Sequence, residues 1–144
     1  MEAGVWIETS RLILRTVTAE DIEQVAQNWN LEGGPIPCEE AERRVQWMLD
    51  NHRQNAPGKV YHLCLAIADR QTGEMIGWCG LDHRDPARPA PVLFYLLKPG
   101  WRGKGLAAEA ARALLDFAFQ DLALTRVDGA AAQGWMRKAG MFLP

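Results

Sequence analysis

The stretch Arg102-Gly103-Lys104-Gly105-Leu106-Ala107 separates an apolar run over residues 92–97 from a helical pattern running from Leu106 to about Leu122. A glycine-rich turn that opens a helix is suited to receive an anion. Glycine lets the backbone come close to a ligand, and the first-turn N–H groups lack intrahelical partners, so they point outward with the positive end of the helix dipole. Arg102 and Lys104 strengthen the expectation, because cations beside a helix N-terminus oppose its dipole unless an anion lies between them. The ligand this pattern predicts is a phosphate or pyrophosphate.

Upstream of the turn, Leu12, Leu14 and Thr16 alternate with Ile13 and Arg15 as in a short strand. Thr18, followed three residues later by Asp21, marks the start of a helix. Its apolar stripe is Ile22, Val25, Ala26 and Trp29, and Gly33-Gly34-Pro35-Ile36-Pro37 stops it. A second amphipathic helix begins at about Glu39, with Ala41, Val45, Met48, Leu49 and His52 on one face, and ends before Ala56-Pro57-Gly58. Strands are expected over 61–68 and 74–81, paired antiparallel through a short glycine-bearing loop. The three prolines in 83–91 make that segment a surface loop leading to a strand over 92–97. Beyond the glycine turn and its helix, 124–128 reads as another strand and 134–139 as a short helix closed by Gly140. The predicted order is β-α-α-β-β-β-α-β-α.

A chain of 144 residues is one domain's worth, here 1–144, and can bury roughly two thirds of its unfolded surface. Hydrophobic residues make up 48% and charged residues 24%, as in ordinary soluble proteins, and a net charge of -2 gives no field for holding a polyanion. Nucleic acid is therefore not an expected partner. Cys38, Cys64 and Cys79 lie far apart, without the spacing of a metal site or a secreted disulfide framework, and read as buried free thiols. With no basic leader at Met1 and no apolar stretch long enough to span a bilayer, the expectation is a cytoplasmic protein without membrane contact.

Which phosphate ligand the turn takes depends on its context. Gly103, Gly105 and Ala108 fit the loose dinucleotide fingerprint, with Asp128 where a ribose-binding acid would fall. Against an oxidoreductase of that kind, several residues separate the preceding strand from Gly103, and that strand follows a hairpin rather than a βαβ unit. A Walker loop is excluded because Gly105, not Ser or Thr, follows Lys104. At every fixed position, residues 102–107 instead resemble Arg/Gln-x-x-Gly-x-Gly/Ala, the acetyl-CoA motif of the GNAT superfamily of N-acetyltransferases. Thr9-Ser10-Arg11-Leu12-Ile13-Leu14-Arg15 resembles the first strand of its ribosomal-protein N-terminal acetyltransferase branch, and Ile76-Gly77-Trp78-Cys79-Gly80-Leu81 the third. Residues 106–119 are similar to its CoA-binding helix, and Met136-Arg137-Lys138-Ala139-Gly140-Met141 to a late helix end. The resemblance spans about 9–141.

That resemblance implies an α+β, three-layer fold whose central, mostly antiparallel twisted sheet carries helices on both faces. It implies acetyl-CoA as donor and direct attack by a primary amine in a ternary complex, with the protein aligning, polarising and removing a proton. Backbone N–H groups of Arg102, Gly103, Lys104, Gly105, Leu106 and Ala107 would cradle the pyrophosphate. Tyr95, Leu96 and Leu97 would pair through their backbones with the pantetheine arm, an amide near Leu96 facing the thioester oxygen. Candidate bases at the inner strand ends are Asp82, then His83 and Tyr95. The acceptor is expected to be a peptide N-terminus or a small-molecule amine, with Glu32, Asp82 and Asp85 in loops on its side.

The chain departs from the family pattern in two places. The stretch Ala130-Ala131-Ala132-Gln133-Gly134-Trp135 has no hydroxyl to protonate the departing thiolate, although a thiol with a pKa near 8.5 can leave with a proton from water. The chain also stops at Pro144, short of two further strands, so the domain reads as shortened at its C-terminus. A trimmed chain, a homodimer covering the open edge, or a non-catalytic CoA-binding domain would each account for that.

Overall fold

The computed structural model describes Met1 and residues 3–129. One sheet holds β1 (Trp6–Glu8), β2 (Leu12–Arg15), β3 (His62–Asp69), β4 (Met75–Asp82) and β5 (Val92–Leu97) in that spatial order. Every neighbouring pair is antiparallel. Both faces of β3 and β4 are covered, so nearly every residue in them is buried. Alternation then divides their side chains between two cores. Leu63, Leu65 and Ile67 point with Ile76, Cys79 and Leu81 to one face, where α3 (Leu106–Gln120) lays down Leu106, Ala110, Leu114 and Ala118. Cys64 and Ala66 point with Trp78 and Phe94 to the other face, covered by α1 (Ile22–Asn28) and α2 (Cys38–Arg53). Each fully buried leucine in these layers contributes about 2 kcal/mol.

The expected α+β architecture, with helices on both faces of an antiparallel sheet, is the one observed. Thr18 and Asp21 form the expected capping box: the Thr18 hydroxyl accepts from Glu20 N–H, and the Asp21 carboxylate accepts from Thr18 N–H at 2.8 Å. A single 3₁₀ turn, Ala19–Asp21, precedes α1. In α2 the expected stripe is buried at Ala41, Val45, Met48 and His52, and Leu49 is half-buried. The hairpin and the strand over 92–97 stand where the pattern puts them.

Three expectations need correction. The sequence pattern missed β1, an edge strand of three residues. The strand expected over 124–128 reduces to one parallel bridge, Val92 with Asp128, because no other residue of that segment pairs with β5. Of the cysteines, Cys64 and Cys79 are buried as expected, but Cys38 is exposed at the start of α2. The helix expected over 134–139 and the departures noted over 130–135 lie outside the described residues. Among the described residues, no helix is long and apolar enough to cross a membrane.

Candidate active site

After β5 the chain makes a 3₁₀ turn, Pro99–Trp101, and reaches Gly103 and Gly105, whose φ angles of 76° and 78° are left-handed. An L side chain is strained there, which is why the sequence has glycine at both positions. A Cβ on Gly103 would meet nothing within 4 Å, and one on Gly105 only the Arg11 guanidinium at 3.6 Å, so the space over the turn is open. Gly105 is the N-cap of α3 and has no side chain to cap it. The first intrahelical bond runs from Glu109 N–H to Gly105 C=O at 3.1 Å, so the N–H groups of Leu106, Ala107 and Ala108 precede the ladder. An open, left-handed glycine turn ahead of an uncapped helix fits a diphosphate group.

Charged side chains hold this turn in place. The Glu109 carboxylate accepts from Thr9 Oγ1 (2.5 Å), Arg11 N–H (3.0 Å) and Arg11 Nε (2.7 Å), tying the β1–β2 turn to the first turn of α3. Burial pushes the Glu109 carboxyl up, but the hydrogen bonds from Thr9 and Arg11 outweigh it and hold the group below its usual range. Arg11 Nη1 also donates to Lys104 C=O at 2.9 Å. The Lys104 ammonium lies 5.4 Å from the centroid of the Trp101 ring. Arg102 turns the other way, donating from Nε to Leu97 C=O at 3.0 Å and pairing with Glu32 in the α1–α2 connection. Sequence reasoning missed the pairing of Arg11 with Glu109 that braces the turn, since 98 positions separate them.

The register of β5 decides which backbone groups face the turn. Asp128 N–H donates to Pro91 C=O (2.9 Å), and Leu93 N–H to Asp128 C=O (3.2 Å), so Leu93 faces the outer edge. Lys98 N–H donates inward to Ile76 C=O at 2.8 Å. With the alternation of a strand, Tyr95 and Leu97 therefore present N–H and C=O outward, and Leu96 presents them to Trp78 of β4. This corrects the expectation that Leu96 offers its backbone outward: its amide is used inside the sheet, and the outward-facing amides beside it are those of Tyr95 and Leu97. Among the described residues, pairing on the outer edge is confined to the Asp128 bridge.

The three candidate bases do not converge. Asp82 closes β4 on the α1/α2 side, and its Oδ1 accepts from Arg84 N–H (3.3 Å) and Arg84 Nε (2.8 Å). The Arg84 guanidinium lies over the ring of Trp47 in α2. His83 belongs to the opposite face, in a cleft of about 520 Å³ shared with Tyr61, Pro89 and Arg126, where its Nε2 bonds Arg88 C=O at 2.9 Å. Tyr95 is half-buried against the α3 core. Of the acids expected on the amine side, Glu32 pairs with Arg102, Asp82 with Arg84, and Asp85 caps Ala87 N–H at 2.9 Å.

The chain is similar to several known proteins. The chain is 27% identical over 128 residues to p20, an uncharacterized N-acetyltransferase of Bacillus licheniformis, covering 83% of this chain and 69% of that protein. An acetyltransferase of Agrobacterium tumefaciens superposes with a TM-score of 0.61 at 31% identity, covering 95% of this chain and 80% of that one. The ribosomal-protein-S5-alanine acetyltransferase of Vibrio fischeri superposes with a TM-score of 0.68 at 18% identity, over 87% and 73% of the two chains. An all-antiparallel sheet and a 3₁₀ turn between strand and glycines disfavour the dinucleotide fold, and residues 11–141 match the acetyltransferase (GNAT) domain, so the chain belongs to the GNAT acetyltransferase family.

Proposed function

We propose that this enzyme is an acetyl-CoA-dependent N-acetyltransferase that acts on a primary amine by direct attack in a ternary complex. The observation that supports it best is the joining of two elements: a left-handed glycine turn opening an uncapped helix, and a strand edge leading to the same turn on which, among the described residues, strand pairing is confined to the Asp128 bridge. Backbone N–H groups of Gly103, Lys104, Gly105, Leu106 and Ala107 hold the diphosphate; the Arg102 N–H, expected among them, instead donates to Pro99 C=O at 3.3 Å. Tyr95 and Leu97 offer their outward backbone groups to the pantetheine arm, as an added strand would find them. Acetyl-CoA supplies an acetyl thioester whose carbonyl carbon the amine nitrogen attacks, the C–S bond breaking as CoA leaves as its thiol.

The residues then have to remove the ammonium proton. Asp82 is the carboxylate of the three that lies on the α1/α2 face, and it pairs across the sheet with Val92, three residues before Tyr95, or about 10 Å along the strand. That distance is beyond the reach of one bridging water, so Asp82 would have to act through a chain of waters. Similarity to the ribosomal-protein acetyltransferase of Vibrio fischeri supports a peptide or protein N-terminal amine as acceptor.

A calorimetric titration with acetyl-CoA, beside NAD and beside an Arg102→Glu, Gly105→Glu variant, tests the donor site. Binding of acetyl-CoA alone, lost in the variant, is the expected result; failure of the folded wild type to bind it refutes the reading. Thiol release with N-terminal peptides and small amines then tests turnover. Asp82→Asn is expected to lower kcat/KM about 100-fold; full activity across pH would remove Asp82 as base.

A further inference from the structure

The guanidinium of Arg102 lies on the path that the donor has to take. Leu97 C=O faces the outer edge of β5, and Arg102 Nε sits 3.0 Å from it, at the spacing where a paired strand would place its own N–H. The far end of the same side chain is held by Glu32, 70 positions away in the α1–α2 connection. We propose that Arg102 is a latch across the pantetheine edge, closed by Leu97 C=O and Glu32 and opened only by a donor that carries a diphosphate. This rests on the acetyl-CoA reading above and goes beyond it, because it gives one side chain opposite effects on the two halves of the donor.

The energetics follow from exposure. Both ends of the Arg102–Glu32 pair are about two-fifths exposed, 40% and 42% for their side chains, so solvent screens the pair and it holds by a factor of about five at most. A diphosphate offers several charged acceptor oxygens to a planar guanidinium, and bidentate, charge-assisted bonds of that kind are stronger. It therefore competes Arg102 away from Glu32 and clears Leu97 C=O for the pantetheine amide. A pantetheine fragment without the diphosphate has nothing to offer Arg102 and has to bind against the closed latch. The site thereby selects diphosphate-bearing thioesters over simpler acyl thiols before any chemistry occurs.

The test uses binding alone, on the full chain, with CoA titrated calorimetrically and pantetheine followed by NMR shifts. Arg102→Ala is expected to weaken CoA about tenfold or more while tightening pantetheine about two- to fivefold. Glu32→Gln is expected to tighten both ligands by about two- to fivefold. Unchanged thermal unfolding of both variants, whose side chains are substantially exposed, shows that the fold is intact. The latch is overturned if Arg102→Ala weakens both ligands alike, or if Glu32→Gln weakens CoA. Wild-type protein that is folded and binds no CoA removes the donor reading and the latch with it, whereas wild-type binding of CoA without the opposite signs removes the latch alone.

Discussion

Gly80 shows how much a single missing side chain does for the centre of this sheet. A Cβ there would stand 1.8 Å from Leu63 C=O and 2.7 Å from Phe94 Cζ. The first of these is backbone of a central strand and cannot move without shifting β3 against β4. The space is used by Phe94, whose ring stacks on buried His62 at 5.9 Å between centroids, with Trp47 on another side of the same imidazole at 5.1 Å. Cys64 stands across from Gly80 on the same face, and burial pushes its thiol up to about 12, so it is a protonated packing group rather than a nucleophile. Gly80→Ala is expected to destabilise the protein by about 3 kcal/mol in urea unfolding, at the upper end of overpacking effects. Gly34→Ala is the control: nothing lies within 4 Å of its Cβ, and the change is expected to stay within about 0.5 kcal/mol. Equal effects at the two positions would mean that the close approach at Gly80 relaxes without consequence.

At the scale of elements, what was legible depended on whether the physical cause was local. The capping box is written in four consecutive residues, 18–21, and α3 in apolar residues four apart, so both could be read directly. The hairpin of β3 and β4 followed from two apolar runs and a turn of fixed length. By contrast, β1 is only Trp-Ile-Glu, with Trp6 largely exposed, and it is a strand because β2 offers it an edge: Ile7 pairs with Leu14. Residues 124–128 carry Leu124 and Val127 at a spacing that suits a strand or a loop equally, and only the hydrogen bonds of Asp128 distinguish them. The glycine turn was legible because left-handed backbone demands glycine. Its supports were not, since Arg11 meets Glu109 across 98 positions and Glu32 meets Arg102 across 70. Leu96 is instructive: the resemblance points to β5, but only the register says which alternate residues face outward.

For the whole molecule, two paired carboxylates, Asp21 and Glu109, shape the response to acid. Asp21 joins the capping box to Arg15 of β2 through two bonds of 2.8 and 2.9 Å, and Glu109 joins the β1–β2 turn to α3. Both groups are pushed up by burial and held below their usual values by their partners, Asp21 by Arg15 and Thr18, Glu109 by Thr9 and Arg11. A carboxyl whose folded pKa is depressed contributes stability that is fully present above its unfolded value. That stability is lost as pH falls through the folded value, because the unfolded chain takes up the proton first. With ordinary values of 3.8 and 4.5, the loss begins near pH 5 and continues below pH 4. Urea unfolding from pH 7 to pH 3 is expected to show wild-type stability level near neutrality and then falling, by an amount of order 1 kcal/mol from these two groups after solvent screening. The Asp21→Asn, Glu109→Gln variant is expected to be less stable at pH 7 and to fall less steeply in acid, so the two curves converge as pH drops. Parallel curves would show that these ion pairs set the baseline stability but not the acid response, and that other carboxylates carry the protons taken up on unfolding.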